Sequence, residues 1–151
     1  MGIAACRVTV DVVALKAVPG DLALLLIERK HPPHQGCFAL PGGFLVDEDE
    51  SLAQAARREL QEETNISVGL EQLSNFGTYG DKGRDPRGRT VTAAFLVELT
   101  ESQAESIQAG DDAAKAHFYA LSALPELAFD HKQILEDALK YRALLRSRDG
   151  D

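Results

Sequence analysis

The sequence predicts one layered α/β (α+β) domain spanning residues 1–151. Three observations carry that expectation. Short runs rich in Val, Leu and Ala alternate along the chain with segments of helix-forming composition. The length, 151 residues, suits one sizeable core. The balance of 44% hydrophobic and 26% charged residues is that of a globular chain.

Composition also removes several function classes. No apolar run is long enough to cross a bilayer, and the N-terminus lacks the basic-then-apolar order of a secretory signal. Neither a membrane nor a membrane surface is an expected partner. Cys6 and Cys37 are too few for a disulfide framework, and a reducing cytoplasm is the simplest setting. The net charge of −8 argues against a general nucleic-acid binder, which needs a basic face. An acidic chain can still act on an anionic small molecule if cations bridge the two.

The elements read as follows. Arg7 to Leu15 is a strand ended by Pro19-Gly20, and Leu22 to Ile27 is a buried strand stopped by Glu28, Arg29 and Lys30. His31 to Gly36 is a loop. Phe38 to Leu40 forms a short strand before Pro41-Gly42-Gly43, a turn signal. Ser51 to Thr64 is the clearest helix: Ser51 with Gln54 fits a capping box, and Asn65 stands where a left-handed residue would end it. Strands are expected at Leu73 to Tyr79, Thr90 to Leu99 and His117 to Leu121, with a short helix at Glu101 to Gln108. Asp130 reads as the N-cap of a last helix running to about Arg146.

The helix from Ser51 does not fit a structural role alone. On a helical wheel Leu52, Ala55, Ala56 and Leu60 form the apolar stripe. Glu59 and Glu63 fall within that stripe, and Glu62 lies on its edge. A Glu-rich helix is ordinarily a solvated face. Here the acids point toward the core or its rim, and Glu62 and Glu63 crowd the last turn, where the helix dipole disfavours negative charge. Three close carboxylates also raise one another's pKa. A divalent cation resolves these conflicts, because Mg²⁺ and Mn²⁺ prefer carboxylate oxygens completed by water and phosphate.

At these residues the chain resembles the Nudix box: Gly, five residues, Glu, seven residues, Arg-Glu, an aliphatic, any residue, Glu-Glu, any residue, Gly. Gly43 opens it, Glu50 is the isolated acid, and Arg58-Glu59-Leu60-Gln61-Glu62-Glu63 follows seven residues later. Six residues separate Gly43 from Glu50, and Asn65 stands in place of the last Gly. The resemblance implies a Nudix α/β/α sandwich with a mixed sheet. It implies that Glu59, Glu62 and Glu63 bind Mg²⁺, or alternatively Mn²⁺, joined by a backbone carbonyl of Gly42 or Gly43. It implies that Arg58 pairs with Glu50 and holds the loop to the helix. Ala39-Leu40-Pro41-Gly42-Gly43-Phe44, Arg84-Asp85-Pro86-Arg87-Gly88-Arg89 and Leu127-Ala128-Phe129-Asp130-His131 resemble the branch of bacterial ADP-ribose pyrophosphatases. That branch also holds the Nudix domains of regulators of NAD metabolism. The expected activity is therefore hydrolysis of ADP-ribose to AMP and ribose 5-phosphate.

Outside the box, Arg84, Arg87 and Arg89 are candidates to fork onto diphosphate oxygens, against the plainer reading of a solvated hairpin tip. Arg29 and Lys30 could contact phosphate where their strand ends. Asp112, with Asp111 beside it, is the candidate general base or extra ligand. His31, His34, His117 and His131 lack metal-ligand spacing and read as structural or surface residues. Phe38 and Phe129 read as core. Two other functions remain open: a pyrophosphatase acting on ordinary or oxidised nucleoside triphosphates, and a non-catalytic ADP-ribose sensor. The resemblance also leaves a homodimer open. Regulators of that branch carry a DNA-binding domain after the Nudix domain, and this sequence is expected to leave no room for one.

Overall fold

The computed structural model describes residues 1–108 and 113–150. The chain alternates strands and helices: β1 (Arg7–Val18), β2 (Asp21–Arg29), β3 (Phe38–Ala39), β4 (Gly42–Phe44), α1 (Leu52–Thr64), β5 (Ser74–Tyr79), β6 (Thr90–Glu98), α2 (Glu101–Glu105), β7 (Ala113–Ala120) and α3 (His131–Arg148). The seven strands form one mixed sheet in the order β3-β2-β1-β6-β5, with β4 also on β1 and β7 also on β2. β1 and β6 run parallel, and the other pairs are antiparallel.

The sheet is mixed and covered on both faces, as an α/β/α sandwich requires. Successive strand residues point to opposite faces, so Val10, Val12 and Ala14 of β1 meet Ala55, Ala56 and Leu60 of α1. Val13 and Leu15 meet Ile134, Leu135 and Ala138 of α3. Burial on both sides explains why the strands are continuous apolar runs without polar alternation. The Pro-Gly-Gly segment, expected as a turn, is partly strand: Gly42 and Gly43 pair with Asp11 and Val10. Both glycines allow a close approach that a side chain would block, since a Cβ on Gly42 would strike the Val10 carbonyl.

β1 supplies the geometry of the site. One of its edges is taken by β6 from Arg7 to Leu15. The other is divided: Thr9–Asp11 pairs with β4, whereas Leu15–Val18 pairs with β2. The two partners diverge from one strand, and a cleft opens between their ends.

Asp11 sits at that division. It is 8% exposed, accepts a hydrogen bond from the Thr92 hydroxyl at 2.7 Å, and lies 3.5 Å from Nε2 of His131. His131, 4% exposed at the start of α3, accepts the Leu40 N–H on Nδ1 at 3.0 Å, which leaves Nε2 to carry the proton toward Asp11. Burial pushes the Asp11 carboxyl up to about 7 and the His131 imidazole down to about 3. His131 was expected to be structural or on the surface; it is structural, and it joins α3 to β1 and to the loop before β4.

The two groups act oppositely on stability. In the unfolded chain Asp11 loses its proton near 3.8, while the folded chain keeps it to about pH 7, so this group costs stability as pH rises between those values. Folded His131 refuses a proton that the unfolded chain takes up below about 6.5, so it costs stability as pH falls from there. Between about pH 4 and 6.5 the slopes oppose. In the Asp11→Asn variant the first is removed. Its unfolding free energy relative to wild type should climb by about 1.4 kcal/mol per pH unit across that window. Denaturant titrations at several pH values, without divalent cation, check this; parallel curves would show Asp11 ionised throughout.

Candidate active site

α1 delivers the acids. Ser51 caps it, with Oγ accepting the Gln54 N–H at 3.0 Å. The Gln54 side chain reaches back one residue further than a capping box requires and accepts the Glu50 N–H at 2.7 Å. Asn65 ends the helix at φ 65°, as its tolerance of left-handed backbone predicts. The wheel is borne out: Ala55, Ala56 and Leu60 are fully buried, Glu59 is 14% exposed at its side chain, and Glu62 is 55% exposed.

The loop and helix are clamped together. Glu63 accepts the Gly42 N–H at 2.7 Å. A Cβ on Gly43 would lie 2.5 Å from the Glu59 carboxylate, so a side chain there would displace that carboxylate from its present position. Arg58 donates five hydrogen bonds: Nε and Nη2 to the two Asp49 oxygens at 2.9 Å each, Nη1 to Glu59 at 2.8 Å and to Glu62 at 3.2 Å, and Nη2 to the Phe44 carbonyl at 3.0 Å. Burial raises the Glu59 pKa and the Arg58 contacts oppose it, while the Arg58 hydrogen bonds hold Asp49 low.

The expected pairing of Arg58 with Glu50 is therefore corrected: its partner is Asp49. Measured from the partner, five residues separate Gly43 from the acid, and the additional residue lies between the acid and Arg58. Glu50 offers its backbone N–H to Gln54 instead.

The cleft has an inner and an outer part. The inner chamber, about 180 Å³, runs from Asp11 and His131 past Arg84 to Glu63. The outer cleft, about 670 Å³, is lined by Glu59, Glu62 and Glu63 of α1 and by Arg29, Lys30 and Arg87. Ile27, Arg29, Gly42, Gly43, Phe44, Glu63 and Arg87 border both.

The arginine candidates separate. Arg84 lines the inner chamber but is bound bidentately to Asp130 at 2.8 and 2.7 Å, with its side chain 6% exposed. Asp130, expected to cap α3, makes no side-chain cap and holds Arg84 instead. Arg87 lines both parts and is bound to Asp85, whose carboxyl it pulls down to about 2. Arg89 is exposed and borders neither part. Arg29 lines both, with Nε on the Pro33 carbonyl at 2.8 Å. Asp111 and Asp112 lie outside the described residues.

Four site residues were not assigned from sequence. Asp11 is a lone acid in an apolar strand, and that isolation was its only signal. Phe44 borders both parts of the cleft. Phe129, read as core, has its ring 4.9 Å from the Arg29 guanidinium and 5.7 Å from that of Arg87. His131 closes the inner chamber. Phe38 was also read as core, and it is: it packs on Tyr119 at 5.2 Å.

Among the described residues, no three acidic, His or Cys side chains converge closely enough to hold a metal ion as they stand. The reason is local. Arg58 Nη1 is shared by Glu59 and Glu62, and Glu63 is turned onto Gly42. The donor chemistry nonetheless fits a hard dication: three carboxylates and the main chain of a glycine turn, one carboxylate desolvated.

Comparison with known proteins places this geometry. The chain is 41% identical over 122 residues to the ADP-ribose pyrophosphatase of Methanocaldococcus jannaschii, covering 81% of this chain and 69% of that protein. It is 35% identical over 133 residues to the ADPR responsive transcriptional repressor NtrR of Acinetobacter baylyi, covering 86% of this chain and 52% of that one, so it spans about half the repressor's length. Its fold superposes on the NUDIX domain of Shewanella oneidensis NrtR, solved with ADP ribose, at a TM-score of 0.82 and 30% identity, covering 92% of this chain and 90% of that domain. The NUDIX domain model matches residues 7–138, most of the sequence, and the chain belongs to the NUDIX family.

Proposed function

We propose that this chain hydrolyses the diphosphate linkage of ADP-ribose, giving AMP and ribose 5-phosphate. The observation that carries the reading is one cleft lined both by three glutamates of α1 and by Arg29, Lys30 and Arg87. Its resemblance to an ADP-ribose pyrophosphatase supports the substrate.

Glu59, Glu62 and Glu63, with a carbonyl of Gly42 or Gly43, would hold the divalent cation, Mg²⁺ with Mn²⁺ as the alternative. When bound, the cation neutralises diphosphate charge and lowers the pKa of water. The chain's own groups do the rest. Arg29 and Arg87 bind diphosphate oxygens. A carboxylate of the cleft, or Asp112, takes a proton from the attacking water. The water oxygen bonds to one phosphorus, the bridging P–O bond breaks, and a phosphomonoester leaves. Arg58 fixes the loop and the acids relative to each other. The free thiols of Cys6 and Cys37 suit a reducing cytoplasm.

A second reading, an ADP-ribose sensor without turnover, is favoured by the 35% identity to an ADPR-responsive repressor. The acids at all three box positions favour catalysis. Incubation with ADP-ribose, nucleoside triphosphates and dNTPs, each with Mg²⁺ and with Mn²⁺, separates the readings. AMP from ADP-ribose in preference to products from triphosphates is expected, abolished by chelation; binding without product would establish the sensor.

Two sets of variants test the site. Glu62→Gln and Glu63→Gln should each lower kcat by on the order of 100-fold or more, with unchanged melting. Near-wild-type turnover in either removes that residue from the cation site. Gly43→Ala displaces the Glu59 carboxylate and should cost on the order of 100-fold in kcat/KM, because small misplacements of reacting groups are costly. A wild-type rate would mean that the close approach serves packing alone.

A further inference from the structure

The basic lining of the cleft has an unusual construction. Arg29 and Arg87 come from different elements, the end of β2 and the loop before β6, and carry like charges. Burial, followed by the Arg87 charge, lowers the pKa of Arg29, whereas the Asp85 carboxylate raises that of Arg87. Each has its own polar anchor, Arg29 Nε on the Pro33 carbonyl and Arg87 on Asp85, and the two share an aromatic one. Both guanidinium groups lie over the ring of Phe129, at 4.9 and 5.7 Å from its centroid, and Arg87 also lies 5.9 Å from the ring of Phe44. An aromatic face attracts a guanidinium in cation–π geometry.

Phe129 is itself held by force. Its φ is 52°, left-handed backbone that a bulky residue rarely adopts. The neighbours impose it: Ala128 N–H bonds the Phe38 carbonyl at 2.7 Å, the Asp130 carboxylate is fixed on Arg84, and His131 is fixed on Leu40. Without that turn the ring would not stand in the inner chamber, with His34 edge-on at 4.7 Å. Strain of this kind is retained where the surroundings over-determine it, and it is frequent at ligand sites.

We propose that Phe129 is a positioning residue for the diphosphate: its ring, held by a left-handed backbone, adds to the Pro33 and Asp85 anchors and gathers Arg29 and Arg87 into one dicationic clamp on the cleft that Glu63 also lines. The proposal rests on the reading of the cleft as an ADP-ribose site. Phe129 touches no reacting atom. It lowers the cost of placing two like charges together before substrate arrives, so its contribution belongs to binding and not to the chemical step.

The test is steady-state hydrolysis of ADP-ribose at saturating Mg²⁺ by wild type, Phe129→Leu and Phe129→Tyr. Leucine keeps apolar bulk but offers no π face. KM should rise about tenfold in Phe129→Leu with kcat held within about twofold, and Phe129→Tyr should restore KM. Phe129→Met replaces the leucine variant if that one melts early. Wild-type KM in the leucine or methionine variant, or a fall in kcat with KM unchanged, overturns the proposal and leaves the functional reading intact. If wild type itself does not cleave ADP-ribose, the functional reading fails. Calorimetric titration with magnesium pyrophosphate then decides on Phe129: weaker binding by the variant upholds the clamp, and equal affinity overturns it.

Discussion

One guanidinium holds the site together. Arg58 has five N–H donors, and each of five hydrogen bonds goes to a different acceptor position on Asp49, Glu59, Glu62 and Phe44. Lysine could not reproduce this, because its point charge lacks the planar fork that grips both Asp49 oxygens. The arrangement answers a physical difficulty. Carboxylates crowded at the C-terminal end of a helix repel one another and face the negative end of its dipole. A permanent cation placed among them makes the cluster tolerable in the absence of a metal. The same contact ties the loop after β4 to α1.

The cleft itself follows from a division of labour along β1. One edge pairs with β6 from Arg7 to Leu15. Its other edge changes partner from β4 to β2, and between them Val12 N–H is taken by the Pro41 carbonyl at 2.8 Å. Asp11 lies at the point of change. Its bonds to Thr92 and proximity to His131 satisfy a polar group that would otherwise be stranded in an apolar strand. The inner chamber is thus closed at one end by Asp11 and His131, and it shares Arg29, Glu63 and Arg87 with the outer cleft.

Much of this was legible in the residues. α1 announced itself by composition, by Ser51 and by Asn65, and its wheel placed Glu59 and Glu63 inward correctly. Local chemistry decides those features, so local reasoning finds them. The partner of Arg58 was misread because spacing was counted along the chain, whereas Asp49 and Glu50 differ only in the direction their side chains take from a loop. Asp130 was taken for a cap because Asp before a helix usually is one; a tertiary contact with Arg84, 46 residues away, took the carboxylate instead. Phe129 looked like core because nothing in the sequence reports a left-handed φ at phenylalanine. Arg84, Arg87 and Arg89 share one loop chemistry, and only the fold separates the buried, the cleft-lining and the exposed member. The site's acids were readable from one helix, whereas its basic residues are assembled from two distant segments, Arg29-Lys30 and Arg87.

The net charge of −8 then acquires a meaning that composition alone withheld. A polyanion approaching an acidic protein meets repulsion everywhere except where local charge is reversed. At Arg29 and Arg87 the reversal is permanent, since both are always protonated. At the acids it is conditional, because Glu59, Glu62 and Glu63 repel phosphate until a dication lies on them. Under the proposed function, affinity for a diphosphate is therefore set by both groups together, and cation and substrate favour each other's binding by thermodynamic reciprocity. A free nucleoside monophosphate product would engage the two groups less well than the diphosphate it came from. The doubly lined cleft thereby favours release after cleavage, a property that neither the acids nor the arginines could supply alone.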